Sequence, residues 1–279
     1  MTGMEQHPSP SNETARPRQP VLFLPHGGGP CFFMDWPDTW DRMAAYLRGV
    51  AAGLPQRPDG IVVVSSHWET GMPTVTSGMN PALIYDYSGF PPHTYQLRYP
   101  APGSPELAAR ACALLDRAGI ACAQDPERGF DHGVFIPFLL AFPQADIPIV
   151  ELSLQRDLNA ALEIRIGATL RPLRDQNILI VGTGMTYHNL HHFMGQNPQS
   201  NVVSREFDTW LAHAVEAPPD VRTEALTQWM HAPGARICHP RPEHLLPLMF
   251  AAGAAGTDRG VRDYSDTVMG KALSGFRFG

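Results

Sequence analysis

Little of this chain is charged. Asp, Glu, Lys and Arg together make up 17% of its 279 residues, and the formal net charge is -6. No cluster of Lys and Arg stands out, so phosphate-backbone binding has nothing to rest on and nucleic acid is excluded as a partner. No apolar run approaches the ~18–20 residues of a membrane span, so no membrane partner is expected either. Cysteine is sparse as well: Cys31, Cys112, Cys122 and Cys238 form no C-x-x-C pair and match no zinc-ribbon spacing. The expectation is reduced thiols in a cytoplasmic protein. The phosphate-binding fingerprints G-x-x-x-x-G-K-[ST] and G-x-G-x-x-G are both missing. Residues 1–19 are polar, rich in Pro, Ser and Asn, and lack an apolar core. They read as a disordered leader rather than a signal peptide. No linker breaks the remainder, so residues 20–279 are expected to form one domain.

What the chain has in quantity is histidine, with 12 copies. Their placement follows from the elements. Apolar runs at Val21–Pro25, 61–64, 147–154 and 177–181 are short and rich in β-branched residues, which marks strands buried on both faces. A short strand is expected at 120–123 and an edge strand at 276–278. Helical patterning covers 37–52, 104–118, 134–142 (despite Pro137), 159–173, 204–215 and 221–230. Ser104 suits an N-cap and Gly119 a helix stop. Strands alternating with helices give an α/β fold: a single-domain mixed, mostly parallel sheet flanked by helices. In such sheets ligands bind beyond the carboxyl ends of the strands.

Three strand ends carry a histidine. His26 follows Val21–Pro25, His67 follows the run that stops at Ser65-Ser66, and His188 follows 177–181 after Gly182-Thr183-Gly184. Two more histidines, His132 and His244, sit in turns bracketed by Gly or Pro. Any one of them alone reads best as a core residue. Together, parallel strands would bring them to one rim. Clustered neutral imidazoles suit a borderline metal such as Zn(II) or Fe(II), and imidazoles left uncoordinated there suit general acid–base work. His7, His93, His191, His192, His213 and His231 lack this context, and His239 is ambiguous. Residues 80–102, rich in Pro and Tyr, are too irregular for a helix and long for a loop, which suggests a covering segment. Its aromatics either line a pocket or pack on the sheet. Arg128, Tyr85, Tyr187 and Arg241 are possible substrate contacts.

Six motifs occur in order: P-H-G-G-G-P, S-S-H-W-E, Y-P-A-P-G-S-P, G-F-D-H-G-V-F-I-P, T-G-M-T-Y-H-N-L and H-P-R-P-E-H-L-L-P-L. From about Val21 to the C-terminus the chain resembles the DODA-type extradiol ring-cleavage dioxygenases of the LigB superfamily (class III extradiol enzymes). The resemblance implies a non-haem Fe(II) centre, with Zn(II) as an alternative occupant, that opens a catecholic ring with O₂. It implies His26, His67 and His244 as metal ligands, His188 as the acid–base histidine, and His132 as a second active-site histidine. Trp68 and Glu69 are expected in supporting positions. Many relatives in the wider superfamily use a carboxylate as third ligand. Here that place reads as His244, and a helix starting at Pro242 would point Glu243 and His244 in different directions. A Zn(II)-dependent hydrolase on the same three histidines is the competing enzyme class. A silent metal-binding protein would not need His132 and His188.

Overall fold

Runs of β-branched residues build the middle of the molecule. The computed structural model describes residues 17–193 and 198–279. Its strands are β1 (Val21–Pro25), β2 (Gly60–Thr70), β3 (Thr74–Thr76), β4 (Ala123–Asp125), β5 (Ile149–Gln155), β6 (Ile178–Gly184), β7 (Gly260–Val268) and β8 (Lys271–Phe278). They form one sheet in the order β4-β3-β5-β2-β6-β1-β8-β7. The four inner strands β5, β2, β6 and β1 are mutually parallel. Antiparallel pairs attach β8 to β1, β7 to β8 and β3 to β5, while β4 runs parallel to β3. This is the mixed, mostly parallel sheet that the patterning implied. Every residue of β1, β5 and β6 is buried, because helices cover both faces.

The helices are α1 (Asp41–Gly49), α2 (Pro105–Arg117), α3 (His132–Ala141), α4 (Ala160–Leu170), α5 (Leu190–Phe193), α6 (Pro198–Glu216), α7 (Pro219–Thr227), α8 (Ala235–Cys238) and α9 (Leu246–Ala255). Ser104 caps α2 by accepting from the Leu107 N–H, and Asn159 caps α4 through Leu162. α3 and α9 are apolar on nearly every side and lie deep in the fold, α9 against α4 and β6.

The structure departs from the sequence-based expectation in five places. β2 does not stop at Ser65-Ser66 but runs on to Thr70, and its register against β5 slips between Val64 and Glu69. β8 is an inner strand, not an edge. The edge is β7, whose exposed charges suit that place. The small residues Ala272, Ser274 and Gly275 hid β8 in the sequence. β3 is too short to show a pattern. α9 begins at Leu246, so Glu243 and His244 lie in the turn before it, where the Leu245 and Leu246 N–H groups donate to the Pro242 carbonyl. Finally, Cys112 and Cys122 are disulfide-bonded rather than reduced. The turn at Gly119 folds the end of α2 back towards β4 and brings them together. Cys31 and Cys238 are free and buried.

The expected leader falls mostly on residues 1–16, outside the described residues. At its end Gln19 is fully buried and hydrogen-bonded to Asn177 and Arg174.

Candidate metal centre

The parallel strands β1, β2 and β6 end on one rim, and five histidines meet there. His26 follows β1, and its N–H donates to the Gly184 carbonyl at 3.2 Å, aligning the ends of β1 and β6. His67 projects from the irregular stretch of β2. His132 opens α3. Asp131 caps that helix, accepting from the Gly133 N–H at 3.0 Å and from the Ser65 hydroxyl at 2.6 Å. A Cβ on Gly133 would lie 2.3 Å from the Ser65 Oγ, so only glycine lets α3 approach β2 this closely. His188 hangs from the loop after β6, with its N–H on the Cys238 carbonyl at 2.9 Å. The turn bearing His244 lies against β6, where the Met185 N–H donates to the His244 carbonyl at 3.0 Å. A Cβ on Gly184 would sit 2.2 Å from that same carbonyl oxygen.

The rings of His26, His67 and His244 form a near-equilateral triangle, with centroids 5.0, 5.2 and 4.9 Å apart. His132 packs on His67 at 3.9 Å, and His188 stacks on His244 at 3.3 Å. Counted by ligand atoms that lie within 4.8 Å of one another, two sets stand out: His26, His67 and His132, and His188, Glu243 and His244. Each set contains part of the triangle.

Hydrogen bonding at Nδ1 fixes the tautomer of four of the five rings. The His26 Nδ1 lies 2.8 Å from the Gly27 carbonyl, which can only accept, so Nδ1 carries the proton and Nε2 is the acceptor, facing the Ser66 hydroxyl at 3.1 Å. The His244 and His188 Nδ1 atoms donate to Glu243 Oε1 at 2.8 and 3.1 Å. The His132 Nδ1 donates to Asp86 Oδ1 at 2.8 Å. Four rings therefore offer Nε2, the arrangement that orients metal-binding imidazoles. His26 Nε2 and His67 Nε2 stand 3.3 Å apart. Several lone pairs gathered this closely are satisfied together by a cation, so the donor set fits a divalent metal.

Burial sets the charges. It pulls His26, His67 and His244 well below the usual imidazole range, and the neighbouring histidines add to the effect. All three are neutral near pH 7, as metal ligands must be. For Asp86, burial pulls upward but the hydrogen bonds and charge of His132 win, so it titrates low. For Glu243, burial again pulls upward, and the bond from His188 and the Arg241 charge outweigh it. Both carboxylates are ionised at neutral pH.

The remaining expectations divide. His239 is a core residue: fully buried, its Nε2 donates to the Thr186 carbonyl at 3.0 Å. Burial lowers its pKa to about 4. Tyr187 is fully buried and cannot meet a substrate. The Tyr85 and Tyr87 hydroxyls donate to the carbonyls of Leu97 and Thr94 within their own segment, while the Tyr87 ring lies 5.8 Å from His132. The 80–102 segment thus covers the centre and also packs on it. Arg128 is held by Asp131 at 2.9 Å and stacks over Trp68. Arg241 grips Glu69 with two bonds of 2.6 Å. Trp68 and Glu69 thus each hold an arginine beside the centre. Sequence reasoning missed Asp86 and misjudged Glu243. The one available signal was their position, in Y-D-Y and immediately before His244.

Comparison with known proteins agrees with this geometry. The family described as "Catalytic LigB subunit of aromatic ring-opening dioxygenase" matches residues 35–273. That span holds four of the five histidines, and His26 precedes it. The dioxygenase tasH of Hapsidospora irregularis is 38% identical over 279 residues, covering 93% of this chain and 85% of its own. A 4,5-DOPA dioxygenase extradiol of Portulaca grandiflora is 40% identical over 213 residues, covering 73% and 75%. One of Escherichia coli is 35% identical, covering 85% of each chain. A crystal structure of an uncharacterized Escherichia coli K12 protein superimposes with a TM-score of 0.74 at 32% identity, over 94% of this chain and 100% of that one.

Proposed function

The chain belongs to the LigB family of aromatic ring-opening dioxygenases, and from that premise we propose that it cleaves a catecholic ring in the extradiol position with O₂ at a non-haem Fe(II) centre. One observation supports the site above all others: five histidines converge where three parallel strands end, and four of them are oriented through Nδ1. The ligands in this proposal are His26, His67 and His244, the equilateral trio. His188 and His132 are the proton-handling and substrate-facing groups.

A dication held by His26, His67 and His244 would supply Lewis acidity and, if redox-active, a path for electrons to O₂. The chain's own groups do the rest. Glu243 holds the His188 Nδ1–H, which leaves Nε2 to take a catechol proton and return it later. His188 is the more open of the stacked pair, its side chain 24% exposed against 5% for His244, as suits the group that meets substrate. His132, held by Asp86, offers Nε2 to substrate or oxygen. The 80–102 segment limits water. The balance is simple: one ring C–C bond beside a hydroxyl carbon breaks, both oxygen atoms enter the product, the ring carbons are oxidised and O₂ is reduced.

The test is anaerobic reconstitution with Fe(II) or Zn(II), then oxygen uptake with a panel of catechols. Uptake with Fe(II) alone is the expected result. Turnover with Zn(II) and no oxygen uptake would restore the hydrolase.

A cytoplasmic location belongs to the same proposal. Among the described residues no helix is long and apolar enough to cross a membrane. The Cys112–Cys122 bridge bears against a reducing compartment. Subcellular fractionation decides between them: recovery of the protein in the cytoplasmic fraction supports the proposal, and recovery outside it contradicts the proposal.

A further inference from the structure

Within the centre, the rings of His188 and His244 share a single carboxylate. Glu243 Oε1 lies 2.8 Å from the His244 Nδ1 and 3.1 Å from the His188 Nδ1. The two rings are nearly parallel, 17° apart, so both N–H edges reach the same oxygen. A carboxylate oxygen has two acceptor sites, enough for both donors. The other oxygen of Glu243 stands 3.4 Å from an Arg241 guanidinium nitrogen. That guanidinium is anchored on Glu69, two residues beyond His67 on β2. Glu243 is therefore held from behind by a chain that returns to the strand bearing a proposed ligand.

We propose that Glu243 is a positioning residue serving both halves of the centre through one oxygen, fixing His244 for the metal and His188 for the proton. This rests on the dioxygenase reading for the role of His188, but not for that of His244. The shared oxygen ties the two functions together. Charge on Glu243 makes His244 a better donor to a metal, and it steadies the cation that forms when His188 takes a proton. Asp86 plays no equivalent part: its Oδ1 serves His132, and its Oδ2 is 3.6 Å from the His67 Nδ1, beyond a hydrogen bond. A purely structural Glu243 would need no contact with either ring. A Glu243 that were itself a ligand would bind through Oε2, the oxygen that faces Arg241 at 3.4 Å, and the Co(II) spectrum reads that directly.

The experiment compares wild type, Glu243→Gln and Glu243→Ala. Gln is the same shape and keeps an acceptor oxygen, so it guards against misfolding. Three quantities are measured: the dissociation constant for Co(II) by chelator competition, the visible spectrum of the Co(II) protein, and oxygen uptake per bound Fe(II). The expected result is metal affinity weakened roughly 10- to 100-fold in Glu243→Ala and less in Glu243→Gln. The Co(II) spectrum keeps its intensity and shape. Turnover per bound iron falls about tenfold or more in both variants. An altered Co(II) spectrum in Glu243→Gln would make Glu243 a ligand and overturn the proposal. So would a lower melting temperature with unchanged affinity and turnover, which would leave it structural. If wild type takes up no oxygen, the dioxygenase reading fails instead, while the affinity and spectral results still judge the His244 half.

Discussion

His188 and His244 share a carboxylate and stack ring on ring, yet their proposed roles differ. His188→Ala should keep nearly all of its metal and lose turnover by roughly 10²–10⁴-fold. His244→Ala should lose metal itself, read by metal analysis after gel filtration. Loss of metal from His188→Ala would reverse the assignment. A third buried histidine tests the electrostatics alone. The His239 pKa is pulled from 6.5 to about 4 by burial. Between those values the unfolded chain takes up a proton at this ring and the folded chain does not. Stability therefore falls as pH drops through that window, by on the order of 3 kcal/mol in total. Urea melts at pH 7 and pH 4.5 should show a smaller acid loss in His239→Gln than in wild type. At this scale the five site histidines were legible because each follows an apolar run or sits in a Gly- or Pro-bracketed turn. Asp86 and Glu243 were not, because a single carboxylate in a loop has no periodicity. Only the fold decides which ring it faces.

The elements place these side chains by close backbone approach. The end of β6 and the turn before α9 touch at Gly184, where a Cβ would sit 2.2 Å from the His244 carbonyl oxygen. Gly184→Ala should push that turn away. The expected cost is about 1–3 kcal/mol of stability, together with weaker metal binding in equilibrium titration. Gly49→Ala is the control, since a Cβ there meets nothing within 4 Å; its metal affinity should match wild type. Equal affinity in both variants would mean that β6 does not set the position of His244. The inner strands and most helices were readable, since Ser104 caps where expected and the apolar runs are unbroken. The start of α9 was misplaced because Pro242 suits a first helical turn, but the chain makes one further turn before the helix proper. That extra turn lets Glu243 fold back onto His244 instead of pointing away. The continuation of β2 to Thr70 was hidden because Ser65-Ser66 interrupt the apolar run, although Ser65 still pairs with Thr183 and pairing resumes at Glu69.

For the whole molecule, the centre ties together segments that are distant in sequence: β1, β2, the 80–102 segment, α3, the loop after β6 and the turn before α9. A ligand that binds only the folded state stabilises it by RT ln(1 + [L]/Kd), about 2.7 kcal/mol at a hundredfold excess over Kd. Removing metal with a chelator should therefore lower the melting temperature, and re-adding Fe(II) or Zn(II) should restore it. An unchanged melting temperature would mean that no metal links these segments. The overall architecture was legible because strands and helices alternate along the chain. The Cys112–Cys122 bridge was not, since a ten-residue spacing says nothing until α2 and β4 fold side by side. The central claim is ring opening by O₂ at this centre, and labelled oxygen tests it most directly. The Fe(II) enzyme is given a catechol under ¹⁸O₂, the product is reduced at once to block exchange with water, and its mass is measured. The expected result is a ring-opened product carrying both labelled atoms. A product with neither label, formed equally well without oxygen, would contradict it.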